Sequence, residues 1–198
     1  MKGYHISNIL DILGMRSKNG EAIVQSLIDS FSCPLNAEIE HFLKHNAIEF
    51  AKKHQCITYF VLENGTNKLV AYYALTHKAV EIDASHLSKT VNKGIARHAE
   101  QSLDTGIFNA SAFLLAQFGK NGAYDGELNI SGSELMNCVL DSLCAAQHLV
   151  GGGIVYLECE DTPKLIAFYT SDTNLFREFG TRESKSENIT YRQFLRLF

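Results

Sequence analysis

The chain has 198 residues, 45% of them hydrophobic and 20% charged, with a formal net charge of −4 and a pI near 6.0. That length is one domain, or one domain with an appendage, at about 100–200 residues per domain, and the apolar content excludes a disordered chain. The negative balance gives no global attraction to nucleic acid or to an anionic membrane.

Five cysteines (Cys33, Cys56, Cys138, Cys144, Cys159) are odd in number and form no CxxC pair. That argues against a disulfide framework or a zinc knuckle and for a reducing, cytoplasmic setting. The N-terminus lacks an apolar run of signal-peptide length, and no stretch approaches the ~20 apolar residues of a membrane helix. No membrane partner is expected.

Residues 8–31 read as short helical pieces, with Ile23, Leu27 and Ile28 as a small apolar face ending before Pro34. Asn36 is an N-cap signal for a helix to about His54, with Ile39, Phe42, Leu43, Ala47 and Phe50 facing inwards. ITYFVL and KLVAYYALTHKAVEI flank ENGTN, a hairpin signal because Asn-Gly tolerates positive φ. Residues 83–111 read as a polar, helical insert in which Lys89, Lys93 and Arg97 form a basic stripe, most simply a solvated face.

The most informative stretch runs from Ala112 to Gly152. AFLLAQFGKN is a buried strand, GAYDGELN a polar loop, and ISGSELMNCVLDSLCAAQHLV an amphipathic helix with Leu135, Met136, Val139, Leu140 and Leu143 on one stripe. Ser131 followed by Glu134 is a capping-box pattern. The free N–H groups and positive dipole end of such a helix suit a phosphate, and Gly132 permits close approach. Gly151 and Gly152 end the helix. IVYLECE is then a buried strand, TPKLIAFYTS a helix with Pro163 in its first turn, and Phe176–Gly180 with Tyr191–Phe198 a closing hairpin around a charged loop. The order implies an α/β (α+β) sheet with helices on both faces.

This order and the residues at its joints resemble the GNAT acetyltransferase superfamily. The resemblance covers about Ile39 to Phe198 and is sharpest from AFLLAQFGKN to LIAFY. It implies a mixed, mostly antiparallel sheet flanked by helices and splayed between the family's fourth and fifth strands. The whole chain is then a single domain, with 1–35 as an N-terminal helical extension and 83–111 as a helical insert. It also implies acetyl-CoA as cosubstrate, without a metal. The cosubstrate would be held by Gln117, Phe118, Gly119, Lys120 and Asn121 at the strand end and by Ile130, Ser131, Gly132, Ser133, Glu134 and Leu135 at the loop and helix start. Thr162 and Phe168 complete the set.

Of the family's pyrophosphate pattern, Q/R-x-x-G-x-G/A, only Gly132 matches. Glu127 takes the Gln/Arg position and is expected to point away, and Ile130 takes the first glycine. Phe168-Tyr169 matches the aromatic pair that faces the thiol, which makes Tyr169 the general acid for the departing thiolate. After Tyr169, TSDTNLF replaces the usual Asn-Gly-Phe ending.

Transfer to an amine needs a proton to leave an ammonium of pKa about 10.4 before attack. His77 and Glu81 share one face of the long hairpin strand, and Glu158 lies on the strand after the helix; these three are the candidate bases, beside a water chain. His41 and His45 have metal-ligand spacing but no HExxH frame, Cys159 reads as a core thiol, and the acidic loop lacks EF-hand spacing. The resulting expectation is an N-acetyltransferase acting on a primary amine by direct attack. The alternative is a GNAT-fold interaction protein that no longer catalyses. The net charge disfavours nucleic acid, the resemblance leaves aminoacyl-tRNA open, and dimers are common in the family.

Overall fold

The structure is a computed structural model that describes residues 3–15, 19–124, 126–184 and 188–198, without the Glu127 side chain. β1 (Tyr4–Asn8) runs into α1 (Ile9–Leu13), followed by α2 (Gly20–Asp29), α3 (Ala37–His41), a π-helical turn (Phe42–Asn46) and α4 (Ala47–Lys52). β2 (Ile57–Glu63), β3 (Leu69–Ile82), α5 (Lys89–Ile95), β4 (Ala99–Gln101) and β5 (Phe108–Lys120) come next. A short 3-10 turn precedes α6 (Gly132–Val150), and β6 (Ile154–Glu160), α7 (Pro163–Thr170), β7 (Arg177–Ser184) and β8 (Ile189–Leu197) complete the chain. The strands are hydrogen-bonded in the order β1-β2-β3-β5-β6-β8-β7, with β4 on β5. The β5–β6 pair is parallel, whereas β1–β2, β2–β3, β4–β5, β6–β8 and β7–β8 are antiparallel.

The chain forms two compact units, Met1–Thr76 with Ala116–Ser142 and His77–Leu115 with Leu143–Phe198. In the first, Ile9, Ile12, Val24, Ile28, Phe31, Leu43, Phe60, Leu69 and Tyr72 make the core. Asn36 caps α3, accepting the Ile39 N–H at 3.2 Å, as its place before the apolar period suggested. The buried face of α2 is Val24 and Ile28 rather than Ile23, which is 42% exposed. The N-terminal stretch is not wholly helical, because β1 pairs antiparallel with β2 from Tyr4–Glu63 to Asn8–Tyr59. The β2–β3 turn forms at ENGTN, but its positive φ falls on Asn67, at 55°, and not on the Asn-Gly pair. The Glu63 carboxylate builds that turn by accepting the N–H groups of Gly65 (3.0 Å) and Thr66 (2.8 Å).

The second unit has its own core of Ile82, Ile95, Phe108, Ala112, Ile154, Tyr156, Phe179 and Leu195. Its polar segment is only partly helical: α5 covers Lys89–Ile95, β4 adds a short strand, and β5 begins at Phe108. Arg97 lies beyond α5, so the expected basic stripe is not carried on one helix. The closing hairpin is longer than expected at β7, and Lys185, Ser186 and Glu187 of its charged loop lie outside the described residues. β5 and β6 are paired at Phe113–Val155 and Leu114–Tyr156; β5 then runs on to Lys120 and β6 to Glu160.

Candidate active site

The phosphate-ready feature belongs to the first unit. Ser131 and Glu134 form the expected capping box: the Ser131 Oγ accepts the Glu134 N–H at 3.1 Å, and a Glu134 carboxylate oxygen accepts the Ser131 N–H at 2.8 Å. The Leu135 N–H is taken by the Ser131 carbonyl at 3.1 Å. Among the described residues, the first-turn N–H groups of Gly132 and Ser133 are the ones left to meet a ligand, at the positive end of the 19-residue helix. Ile130 and Leu135 are fully buried and anchor the turn, so their side chains serve the core. Lys120, exposed at the end of β5, donates to Asn129 Oδ1 at 3.2 Å and adds a positive charge beside the loop. The Glu127 side chain lies outside the described residues.

Two of the expected cofactor residues also have a structural part, Asn121 through its side chain and Gly119 through its lack of one. Asn121 is 3% exposed, and all four of its side-chain hydrogen-bonding positions are used. Its Oδ1 accepts from the Ser32 and Ala123 N–H groups (3.1 and 3.0 Å), and its Nδ2 donates to the Ser30 and Leu69 carbonyls (2.9 and 2.8 Å). Gly119 is buried beneath Ile39, into which a β-carbon would run, with the rings of Tyr72 and Phe31 close behind. The glycine is required there by packing. Gln117 and Phe118 are half-buried, and the Tyr72 hydroxyl is 3.4 Å from the Gln117 Oε1.

Tyr169 belongs to the second unit, on α7, whose start at Thr162 and Pro163 follows the sequence pattern. The residue is 6% exposed, and its ring lies against Phe168, Phe176 and Phe194 at centroid distances of 5.1, 5.8 and 6.0 Å. Burial pushes its phenol well above the usual tyrosine range, with the nearby Cys159 adding to the shift. The group is therefore held protonated, as a proton donor must be. Cys159 is a buried thiol whose pKa is itself pushed up to about 12 by burial and by Asp161, Glu160 and Glu178, which fits an inert core residue.

The three candidate bases differ sharply, all within the second unit. His77 is exposed, with Nδ1 3.2 Å from the Ser111 Oγ and its ring edge-on to Phe113. Glu81 is also exposed and lines an open groove of about 510 Å³ with Ala79, Asn109 and Ser111. Glu158 is engaged: it accepts from Arg182 Nε at 3.0 and 2.8 Å, Arg182 Nη2 at 2.6 Å and Gln193 Nε2 at 2.9 Å, and also from the Tyr156 hydroxyl. Burial alone would raise its pKa; the hydrogen bonds from Arg182, Tyr156 and Gln193 more than offset that and bring it to about 2. A carboxylate so weakly basic is a poor acceptor for an ammonium proton. The engagement of Glu158 was not legible in the sequence, because Arg182 lies 24 residues away and meets it only across the strands.

The His41 and His45 rings lie 4.5 Å apart, tilted by 44°, and among the described residues no group of three or more metal-ligating side chains converges. No helix among them is long and apolar enough to cross a membrane.

No protein-family model matches the sequence, and no curated protein matches it. Solved structures do. A mutant of KacT superposes with a TM-score of 0.62 at 19% identity, over 95% of this chain and 93% of that one. AtaT complexed with acetyl-methionyl-tRNAfMet matches with a TM-score of 0.62 at 15% identity, over 96% and 94%. The chain has the GNAT fold. AtaTR bound with AcCoA gives a TM-score of 0.56 at 15% identity, over 95% and 91%. At these identities the likeness is one of GNAT architecture, and it extends through the N-terminal residues that the sequence resemblance did not reach.

Proposed function

We propose that the chain is an acetyl-CoA-dependent N-acetyltransferase that moves the acetyl group to a primary amine by direct attack. The observation that carries this reading is the capped start of α6 following β5 in a GNAT fold; the Phe168-Tyr169 pair on α7, which the sequence resemblance implies as the thiol-facing pair, supports it. The binding of AcCoA by AtaTR, a neighbour of the same fold, supports it. In this reading the N–H groups of Gly132 and Ser133, with Lys120, receive the pyrophosphate, and main-chain groups of Gln117–Gly119 receive the pantetheine arm. One of those N–H groups stabilises the oxyanion.

The acceptor enters as an ammonium and loses a proton before attack, to His77, Glu81 or water. The amine nitrogen then bonds to the thioester carbon, the carbon–sulfur bond breaks, Tyr169 gives its proton to the thiolate, and the nitrogen loses its second proton to solvent to become the neutral amide. In water a phenol of pKa about 10 donates to a thiolate of about 8.5 at a cost of about 2 kcal/mol. Burial disfavours both anions, so the two pKa values rise together and the difference stays small. Solvent reprotonates the phenolate.

The first acceptor to test is the α-amine of an aminoacyl-tRNA, because AtaT is seen with acetyl-methionyl-tRNAfMet. A second reading, a GNAT-fold interaction protein without turnover, is favoured by one feature: the Glu134 carboxylate sits at the helix start where a pyrophosphate would bind. Calorimetry with acetyl-CoA, followed by a thiol-release assay over a panel of amines, decides between them. Saturable binding with turnover supports the enzyme; binding without turnover of any amine, or no binding, favours the second reading.

A further inference from the structure

One charged cluster in the second unit is not used by the chemistry above. Glu158 on β6 is 15% exposed in its side chain and is gripped by Arg182 from β7 through Nε and Nη2. The Arg182 guanidinium lies 4.7 Å over the Tyr191 ring, and the whole side chain is 46% exposed. Tyr156 donates to the same carboxylate, Gln193 Nε2 donates to both the Tyr156 hydroxyl (3.0 Å) and Glu158 (2.9 Å), and Lys78 Nζ stands 5.3 Å over the Tyr156 ring. One cation, Arg182, is thus held by the hydrogen-bonded carboxylate, and a second, Lys78, stands over the Tyr156 ring of the same cluster, leaving a net positive charge. Arg182 Nη1 and Lys78 Nζ have no hydrogen-bond partner among the described residues.

A carboxylate taken this far out of water is costly unless fully paired. Here it carries more donors than a cross-strand ion pair needs. The effect is to hold the guanidinium over Tyr191 with the side chain still half-exposed, its rotamer entropy already lost. A guanidinium held in place, with an ammonium over the neighbouring Tyr156 ring, is suited to a phosphate or a carboxylate.

We propose that Lys78 and Arg182 form an anion-recognition pair for the acceptor, with Glu158 as the positioning residue that holds Arg182. The acceptor part of this proposal rests on the acetyltransferase reading above; the anion binding does not. The pair would favour amine acceptors that also carry a phosphate or carboxylate.

The test uses the full chain at constant ionic strength, titrated separately with inorganic phosphate and with acetate. Nitrogen–proton NMR follows the Arg182 Nε–Hε signal, assigned by its loss in R182K. A saturable shift with either anion is expected, and whichever anion binds tighter names the group recognised. Glu158→Gln leaves the arginine charged but loosens its grip, and should weaken the midpoint by about tenfold. In turnover, Arg182→Gln should raise KM about tenfold for an amine bearing the recognised anion, with kcat held. The same amine without the anion should show a smaller rise.

A signal that does not move with either anion overturns the proposal, as does an E158Q midpoint equal to wild type or an equal KM rise on both amines. If the chain binds acetyl-CoA by calorimetry but the Arg182 signal ignores both anions, only this proposal fails. If acetyl-CoA does not bind, the functional reading fails and the anion titration still decides the site.

Discussion

Ser131 and Glu134 cap each other at the start of α6, each side chain accepting the other's backbone N–H at 3.1 and 2.8 Å. The carboxylate that stabilises the helix therefore also presents a negative charge where the proposed pyrophosphate must approach. Glutamine keeps the hydrogen bond and removes the charge. Glu134→Gln should tighten acetyl-CoA binding a few-fold, an effect of about 0.3–1 kcal/mol at a helix end, while lowering stability by a similar amount. Calorimetry and urea unfolding on the same variant check both signs. Weaker binding in E134Q would mean that the phosphate lies elsewhere.

Tyr169→Phe keeps the ring among Phe168, Phe176 and Phe194 and deletes only the hydroxyl. If that hydroxyl protonates the thiolate, kcat should fall by about 10²–10⁴-fold with acetyl-CoA affinity unchanged. Because burial raises the phenol pKa, its loss of a proton should not limit the alkaline side of the wild-type rate profile below about pH 10. A Y169F enzyme with wild-type kcat would remove the assigned role.

Asn121 bridges Ser30, Ser32 and Leu69 from the end of β5, with no side-chain hydrogen-bonding capacity to spare. Asn121→Asp replaces two donors by an acceptor facing two carbonyls and buries a charge. Urea unfolding should show a loss of about 3 kcal/mol or more. A loss of acetyl-CoA affinity without a loss of stability would instead make Asn121 a direct ligand.

Glu158 has a folded pKa of about 2 against about 4.3 in an unfolded chain. A depressed carboxylate contributes stability that is complete above the unfolded value and is lost as pH falls through the folded one. The chain should therefore lose stability between about pH 4.3 and pH 2 through this group. We expect about 1–2 kcal/mol, after allowing for solvent around the half-exposed Arg182. Glu158→Gln should flatten that part of the curve, and chemical unfolding at a series of pH values reads it.

What the sequence determined by itself was the local content of the chain. The α6 stripe of Leu135, Met136, Val139, Leu140 and Leu143, the Ser131–Glu134 box, the Asn36 cap and the long β3 follow from periodicity and capping, which act over a few residues; all are present, with Leu140 alone of the stripe only half-buried. The sequence also carried the GNAT resemblance, since that rests on contiguous strand, loop and helix joints.

Only the tertiary structure decided the rest. β1 and β4 are too short to signal themselves and exist because a neighbouring strand offers hydrogen bonds. Asn121 looks like a cofactor residue in line, yet the Ser30–Ser32 backbone claims its side chain from some ninety residues away. Glu158 looks like a free base until Arg182 closes on it across the strands. A side chain's availability depends on what the fold packs against it. Those partners are distant in sequence, so no local pattern records them.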